Sequence, residues 1–242
     1  MGQIYDAPYY QVFAETSRKS AEAIVPVVME LLAPASVVDL GCGLGAWLAV
    51  FRRHGVGDIQ GVDGSYVSRD QLMIPEEAFT AYDLSTPYIS SRRYNLAISL
   101  EVAEHLPEAS GRTLVNSLVH LAPVVLFSAA VPYQPGTNHV NCQWPEYWAE
   151  LFARYGFVAI DTLRTKFWRD PRVDWWYRQN LLIFAQEEKL GDWPALQRER
   201  TLGPDKPRSL VHPEMFLQVY SDLVAWGADW EKKYWDLWGQ KF

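Results

Sequence analysis

The segment at residues 37–45 constrains the fold of this chain more than any other part of the sequence. An apolar run at residues 37–40 leads into three glycines, Gly41, Gly43 and Gly45, that alternate with other residues. Glycine lets the main chain adopt positive φ and lets a ligand approach without a Cβ in the way. A helical pattern begins directly after the loop, and the free N–H groups of a helix start can bind an anionic group. The segment therefore predicts a ligand site at the carboxyl end of a strand, in the crevice of an open α/β sheet.

Strand and helix patterns alternate through the middle of the chain, residues 31–188. Strands are predicted at residues 36–40, 59–63, 78–82, 94–100, 124–130, 157–163 and 181–186. Helices are predicted at residues 46–54, 102–106, 111–121 and 146–155. This alternation is typical of a doubly wound, seven-stranded, mostly parallel sheet of the α/β class. No helical pattern separates the last two strands, so we expect them to form a hairpin that places an antiparallel strand at one edge.

The two ends of the chain lie outside this alternation. Residues 1–30 are predicted to form an N-terminal helical segment over the ligand site, and residues 189–242 a helical C-terminal extension. The extension is expected to begin with a polar stretch rich in proline and glycine. A helix then follows at residues 213–234, where apolar residues recur at helical spacing. This helix is expected to pack on its own domain, to act as a lid, or to bind a partner, including a second copy of the chain.

Composition limits the class of function. The chain has 29 acidic and 22 basic residues, a net charge of −7, and its basic stretches are short, which disfavours a nucleic-acid partner. Its two cysteines, Cys42 and Cys142, lack the spacing of a disulfide framework or a zinc site. The sequence shows neither a secretory signal pattern nor the run of about 18 apolar residues that a membrane span needs. The predicted location is the cytoplasm, without a membrane partner.

The glycine loop alone leaves two types of ligand open. Gly41, Gly43 and Ala46 also fit a dinucleotide fingerprint, and Asp63 lies about 20 residues downstream, where an acid grips a ribose. Asp39, however, places a carboxylate at the mouth of the first strand, where it would repel a pyrophosphate and attract an amino group. A ligand with an α-amino group, a ribose and an adenine is therefore favoured, and a dehydrogenase remains the alternative.

Four segments, in order, resemble the motifs of the class I S-adenosylmethionine (SAM)-dependent methyltransferases. They are residues 39–45 (DLGCGLG), 59–63 (IQGVD), 81–84 (AYDL) and 94–106 (YNLAISLEVAEHL). The resemblance covers residues 30–186 and implies SAM as the cofactor and a seven-stranded sheet with an antiparallel last strand. It implies that Asp63 holds the ribose hydroxyls, that Asp83 contacts the adenine amino group, and that Tyr10 supplies an aromatic contact. The full set of predicted SAM-binding residues is Tyr10, Asp39, Gly41, Cys42, Gly43, Gly45, Asp63, Gly64, Asp83, Leu84, Leu100 and Glu101.

The predicted chemistry needs few catalytic groups. Methyl transfer from a sulfonium releases a neutral leaving group, so the enzyme mainly aligns the reactants. A base is needed when the acceptor is a hydroxyl, and histidine titrates in the right range. His139 follows the fifth predicted strand and is the predicted base, and His105 and Glu101, which follow the fourth, are the further catalytic candidates.

The residues that follow the fourth predicted strand allow two interpretations, a metal site or the start of a helix without a metal. Glu101, Glu104 and His105 have the spacing i, i+3 and i+4, which places them on one face of a helix. With His139 they resemble the metal cluster of the small-RNA 3′-end 2′-O-methyltransferases. Similar strings also occur in class I methyltransferases of small molecules, where acids suit the start of a helix. We therefore expect no metal.

An aromatic segment at residues 174–180, together with Trp144 and Tyr147, is predicted to form the wall of the acceptor site. The predicted function is SAM-dependent O-methylation of a small molecule or glycan unit. One alternative is a metal-dependent RNA 2′-O-methyltransferase. The other is a non-catalytic SAM-binding subunit that acts through its C-terminal helix.

Overall fold

The computed structural model describes the main chain of residues 7–239 and the side chains of residues 14–229. The strands are β1 (Ser36–Leu40), β2 (Asp58–Asp63), β3 (Phe79–Ala81), β4 (Leu96–Leu100), β5 (Val124–Ser128), β6 (Phe157–Ile160) and β7 (Leu182–Gln186). The helices are α1 (Ala7–Leu32), α2 (Ala46–Arg53), α3 (Glu108–Leu121), α4 (Pro145–Ala153), α5 (Leu163–Phe167), α6 (Trp175–Asn180), α7 (Pro194–Leu202) and α8 (Pro213–Gly239).

The seven strands form one sheet in the order β3-β2-β1-β4-β5-β7-β6. All neighbouring pairs are parallel except those made by β7, which is antiparallel to both β5 and β6. The predicted seven-stranded, mostly parallel sheet is therefore confirmed, with the antiparallel strand β7 next to the edge strand β6.

Two apolar cores cover the two faces of the sheet. Successive residues of a strand point to opposite faces, so Val37 of β1 joins the core completed by α1 and α2, and Val38 joins the core completed by α3 and α4. Strands β1, β4 and β5 are buried along their whole length. Helices on both faces explain why these central strands are continuously apolar.

One prediction about helices was wrong. Helices α5 and α6 lie between β6 and β7, where no helix was predicted, and a 3₁₀ helix at Glu187–Asp192 and helix α7 follow β7. Strand β6 ends at Ile160, and Leu163 and Phe167 of α5 are buried in the core. Helices of five and six residues are too short to show a helical period, and they are stabilised by packing rather than by propensity.

The sheet topology creates the site. The chain leaves β1 towards β2 on one side, and β4 lies on the other side of β1, so the loops diverge and open a crevice at the carboxyl ends of these strands. Helix α1 packs against α2 and α7, and the base of α8 packs against α6. No helix within residues 7–239 is long and apolar enough to cross a membrane.

Candidate active site

A cavity of about 1010 Å³ lies at the carboxyl ends of the strands. Loops after β1 to β5 line it, and helices α1, α6 and α8 contribute residues such as Ser17, Trp176 and Gln218. The predicted site residues that the structure brings together in this lining are Asp39, Gly41, Cys42, Gly43, Asp63, Gly64, Asp83, Leu84, Leu100, Glu101, His105 and His139. Gly45 lies behind the loop, and the side chain of Tyr10 lies outside the described residues.

The glycine loop has the backbone that its sequence predicts. Gly41, Gly43 and Gly45 have φ of 90°, 52° and 82°, in the left-handed region that favours glycine. A Cβ on Gly41 would lie 2.3 Å from Cγ2 of Val102, which also leaves no room for a larger residue. The loop main chain therefore forms a ligand-facing surface against the segment that follows β4.

The carboxylates at the ends of β1 and β2 are buried. Asp63 Oδ2 accepts a hydrogen bond from Gly43 N at 2.7 Å, and Oδ1 accepts one from Gly64 N at 2.6 Å and one from the Tyr66 hydroxyl at 2.7 Å. Burial raises the pKa of Asp63, and these three donors lower it. Burial and, second, the charge of Asp63 raise the pKa of Asp39 well above its usual value. The two acids form a region that would gain from a cationic or hydroxyl-bearing ligand.

Glu101 lies outside the 3₁₀ turn that follows it. It has a left-handed φ of 55°, and the 3₁₀ turn comprises only Ala103–His105. Its carboxylate accepts hydrogen bonds from Gln134 Nε2 at 3.0 Å and from Asn180 Nδ2 at 3.1 Å. The prediction that Glu101, Glu104 and His105 share one face of a helix was therefore wrong.

His105 and His139 lie together in the part of the cavity that the loops after β4 and β5 line. Their ring centroids are 5.0 Å apart. Nδ1 of His139 hydrogen-bonds to the carbonyl oxygen of Gln134 at 3.1 Å. Because a carbonyl only accepts, Nδ1 carries the proton and Nε2 carries the lone pair. Burial and, second, the charge of His139 lower the pKa of His105 to about 4, so its ring is neutral near pH 7.

Glu104 lies beneath the two histidines. Its side chain is fully buried, and neither carboxylate oxygen has a hydrogen-bond partner among the side chains and main chain that the structure describes. Burial and, second, the charge of Glu101 raise the pKa of Glu104 well above its usual value. One oxygen of Glu104 and one nitrogen of each histidine, His105 and His139, lie within 4.8 Å of one another. A carboxyl group held in this way can share a proton or a cation with the imidazoles.

The aromatic residues predicted for the acceptor wall lie in two separate places. Trp175, Trp176 and Tyr177 line the cavity, and their role as the acceptor wall stays a prediction. Trp144 and Tyr147 lie at the start of α4 instead, where the Tyr147 hydroxyl donates a hydrogen bond to Glu108.

Two residues that hydrogen-bond to side chains of the site were not predicted from the sequence. Gln134 contacts both Glu101 and His139, and Tyr66 contacts the Asp63 carboxylate. The available signal for Gln134 was its position: a polar residue that follows a buried strand in the same loop as His139. Tyr66 gave a weaker signal, since it lies three residues after the acid that ends β2.

Comparisons with known proteins agree with this geometry. A family model described as a methyltransferase domain matches residues 13–180. A search of curated proteins finds no significant match. Similar solved structures include an O-methyltransferase family protein from Burkholderia thailandensis, with 16% identity, a TM-score of 0.54 and coverage of 75% of this chain. This chain covers only 60% of that protein.

Two further solved structures are similar. Magnesium protoporphyrin IX methyltransferase from Synechocystis PCC 6803, solved with bound S-adenosylhomocysteine, has 18% identity, a TM-score of 0.55, and coverage of 77% of this chain and 90% of that one. The methyltransferase domain of bacterial CtHen1 has 21% identity, a TM-score of 0.50, and coverage of 69% and 97%. At these identities the likeness concerns the fold.

The strand order, the glycine loop and the acids that end β1 and β2 define a class I SAM-dependent methyltransferase fold. The family match covers more than half of the sequence, so the chain belongs to the methyltransferase domain family. It is an enzyme of the methyl-transferring class, with SAM as its cofactor.

Proposed function

We propose that the enzyme transfers the methyl group of SAM to a hydroxyl oxygen of a small molecule or glycan unit. The position of His139 in the cavity supports this proposal most directly. Its Nδ1 is held by the Gln134 carbonyl, so Nε2 is the basic nitrogen beside the ring of His105. Nε2 takes the proton of the acceptor hydroxyl as the oxygen attacks the methyl carbon.

The other end of the cavity has groups that suit SAM. The Asp63 carboxylate is placed for the ribose hydroxyls, and Asp83 lies further along the lining, where the family resemblance puts the adenine. The buried Asp39 carboxyl suits the amino group, and the N–H groups of the loop suit the carboxylate. The sulfonium then lies between this end and the two histidines.

The size and charge of the cavity favour a small acceptor. A cavity of about 1010 Å³ is at the upper end of ligand sites, which span roughly 300–1,000 Å³, so a second ligand fits beside SAM. The net charge of −7 disfavours acceptors with a phosphate backbone. The ring of His105 is neutral near pH 7, so it does not oppose the positive charge that His139 gains.

The test is a transfer assay with methyl-labelled SAM and cell extract separated into small-molecule, glycan, RNA and protein fractions. The proposal expects label in the small-molecule or glycan fraction, and carbon NMR of the purified product should show an O-methyl signal. Label on nitrogen, on carbon or in RNA would contradict it. SAM binding without transfer to any fraction would favour the non-catalytic subunit.

A metal-assisted transfer is the second candidate, and the unpaired oxygens of Glu104 favour it. Glu104, His105 and His139 offer three ligand atoms within 4.8 Å, and a carboxylate with two imidazoles suits manganese, iron or zinc. A divalent ion held by these residues would polarise the acceptor hydroxyl. In this case His139 is a ligand rather than the base, and an RNA 2′-hydroxyl becomes the alternative acceptor.

Metal binding separates the two candidates. Purified protein, treated with a chelator and dialysed, would be titrated with Mn²⁺ by calorimetry, alongside the Glu104→Gln variant. Saturable binding in the wild type that the variant loses, and transfer that stops with chelator and returns with Mn²⁺, would support the second candidate. Transfer at an unchanged rate in chelator would support His139 as the base.

A further inference from the structure

Gln179 lies between the acceptor end of the cavity and the C-terminal helix. It is near the end of α6, and its side chain has no exposed surface. Nε2 donates hydrogen bonds to Gln134 Oε1 and Asn180 Oδ1, both at 3.1 Å, and Oε1 accepts one from His212 N at 2.7 Å. A buried amide with both of its ends satisfied is held in one orientation.

On the cavity side, Gln179 helps to fix the orientation of Gln134, together with Asn180 and the main-chain N–H of Val131. Gln134 Oε1 accepts from Gln179 Nε2 and from Asn180 Nδ2, which leaves its Nε2 to donate to Glu101 at 3.0 Å. If the Gln134 amide were reversed, its oxygen would face the Glu101 carboxylate and two donors would meet its nitrogen. The carbonyl of the same residue holds Nδ1 of His139. The position of Gln134 therefore affects two groups at the acceptor end at once.

On the other side, Gln179 contacts the base of α8. His212 directly precedes this helix, its ring Nε2 hydrogen-bonds to the carbonyl oxygen of Trp168 at 2.9 Å, and its Nδ1 accepts from Glu214 N at 3.2 Å. Met215 in the first turn is buried. One turn further, Gln218 lines the cavity. The hydrogen bonds of His212 therefore fix the start of α8, and with it the position of Gln218 in the cavity lining.

We infer that Gln179 is a positioning residue. Through it, the position of the start of α8 affects the orientation of Glu101 and His139 at the acceptor end of the site. The inference rests on the proposed methyl transfer for its functional consequence. It makes the C-terminal extension a part of the acceptor site. The SAM end is independent of it, since Asp63 is held by Gly43, Gly64 and Tyr66.

The test compares Gln179→Leu, which removes the amide and keeps most of the volume, with Gln186→Leu at the far end of β7 as the matched control. For Gln179→Leu we expect kcat/KM for the acceptor to fall by roughly tenfold or more, with the SAM Kd within about twofold of wild type. Amide exchange at residues 214–218 should become faster, and the ring signals of His139 should shift in NMR spectra. The control should leave all four quantities unchanged.

Gln179→Glu adds a test of the hydrogen bonds themselves. A protonated glutamic acid keeps one donor for Gln134 and one acceptor for His212, whereas the ionised form loses the donor and places a negative charge against Gln134 Oε1. The ratio of its kcat to that of wild type should therefore fall as pH rises. A residue that only fills space would give a constant ratio.

The outcomes separate this inference from the proposed function. Unchanged His139 signals and unchanged exchange at residues 214–218 in Gln179→Leu would overturn the coupling, whether or not an acceptor is found. If Gln179→Leu does not fold, Gln179→Glu decides the question. A ratio of its kcat to that of wild type that does not change with pH would overturn the coupling. His139 signals of Gln179→Glu that are identical to those of wild type at high pH would also overturn it. Failure of wild-type protein to methylate any hydroxyl would overturn the proposed function while the NMR and exchange results still decide the coupling.

Discussion

The hydroxyl of Tyr66 donates a 2.7 Å hydrogen bond to Oδ1 of Asp63, the carboxylate that we propose for the SAM ribose. The same oxygen also accepts from Gly64 N at 2.6 Å. A ribose hydroxyl that binds Oδ1 must therefore compete with Tyr66, whose ring is half-exposed.

Replacing Tyr66 with Phe should tighten SAM binding. The variant removes the competing donor and keeps the ring, and a hydrogen bond to a carboxylate has a net value of about 1.5–3 kcal/mol, so Kd should fall by roughly tenfold or more. Calorimetric titration with SAM measures this, with Tyr155→Phe in the turn that follows α4 as the control. A weaker Kd would show that Tyr66 assists SAM rather than competing with it.

Replacing Asp63 with Asn should weaken SAM binding strongly. Hydrogen bonds to a charged group have values of about 1.5–3 kcal/mol, so we expect Kd to rise by roughly 10- to 100-fold. Asp58→Asn is the matched control, because Asp58 begins the same strand and is exposed, paired with Arg92. Equal affinities for the two variants would refute the assignment of Asp63 to the cofactor.

Asp39 should make the stability of the free protein depend on pH. Its pKa is raised in the folded state by burial and by the charge of Asp63, so above about pH 4 the folded state holds a proton that the unfolded state has lost. The free energy of unfolding therefore falls as pH rises through the folded pKa. In Asp39→Asn the free energy of unfolding should fall less over the same pH range. At a pH above the folded pKa of Asp39, the melting temperature of this variant, measured by calorimetry, should be higher than that of wild type by roughly 2–4 °C.

The same variant should bind SAM less tightly, because the carboxylate that attracts the amino group is gone. Gains in stability at the expense of binding are common at functional sites. If Asp39→Asn were less stable than wild type at high pH, the buried charge of Asp39 would not destabilise the folded protein, and this prediction would be wrong.

The buried ion pair between Arg164 and Asp161 should be important for stability. Arg164 Nε donates to Asp161 Oδ1 at 2.7 Å, and its other nitrogens bond to the carbonyl oxygens of Gln179 and Arg208. Removing one partner leaves a buried charge, so Asp161→Asn should cost about 3–5 kcal/mol in the free energy of unfolding. Urea denaturation measures this. The exposed pair Arg172–Asp170 is the control, and Asp170→Asn should cost at most about 1 kcal/mol.

The sequence predicted the sheet and the backbone of the glycine loop well because both depend on local patterns. Strand β1 and the glycine loop lie within ten residues, and Asp63 ends the next strand of the sheet. The roles of such residues follow from strand order and backbone conformation, which spacing reveals.

The acceptor end could not be predicted as well, for two physical reasons. A single left-handed residue, Glu101, breaks the helical spacing that its sequence suggests. Its carboxylate is then held by Asn180, which is 79 residues away in sequence, and Gln179 contacts Gln134 across 45 residues. Side-chain networks of this kind form only after the chain has folded, so no local pattern indicates them.

The role of His139 as the base is best tested by the rate of methyl transfer by His139→Ala on the identified acceptor, beside His120→Ala on the exposed face of α3. Loss of a general base lowers kcat by roughly 10²- to 10⁴-fold. We expect a loss in this range for His139→Ala, an unchanged SAM Kd, and wild-type rates for His120→Ala. A His139→Ala enzyme with wild-type kcat on a hydroxyl acceptor would contradict this role.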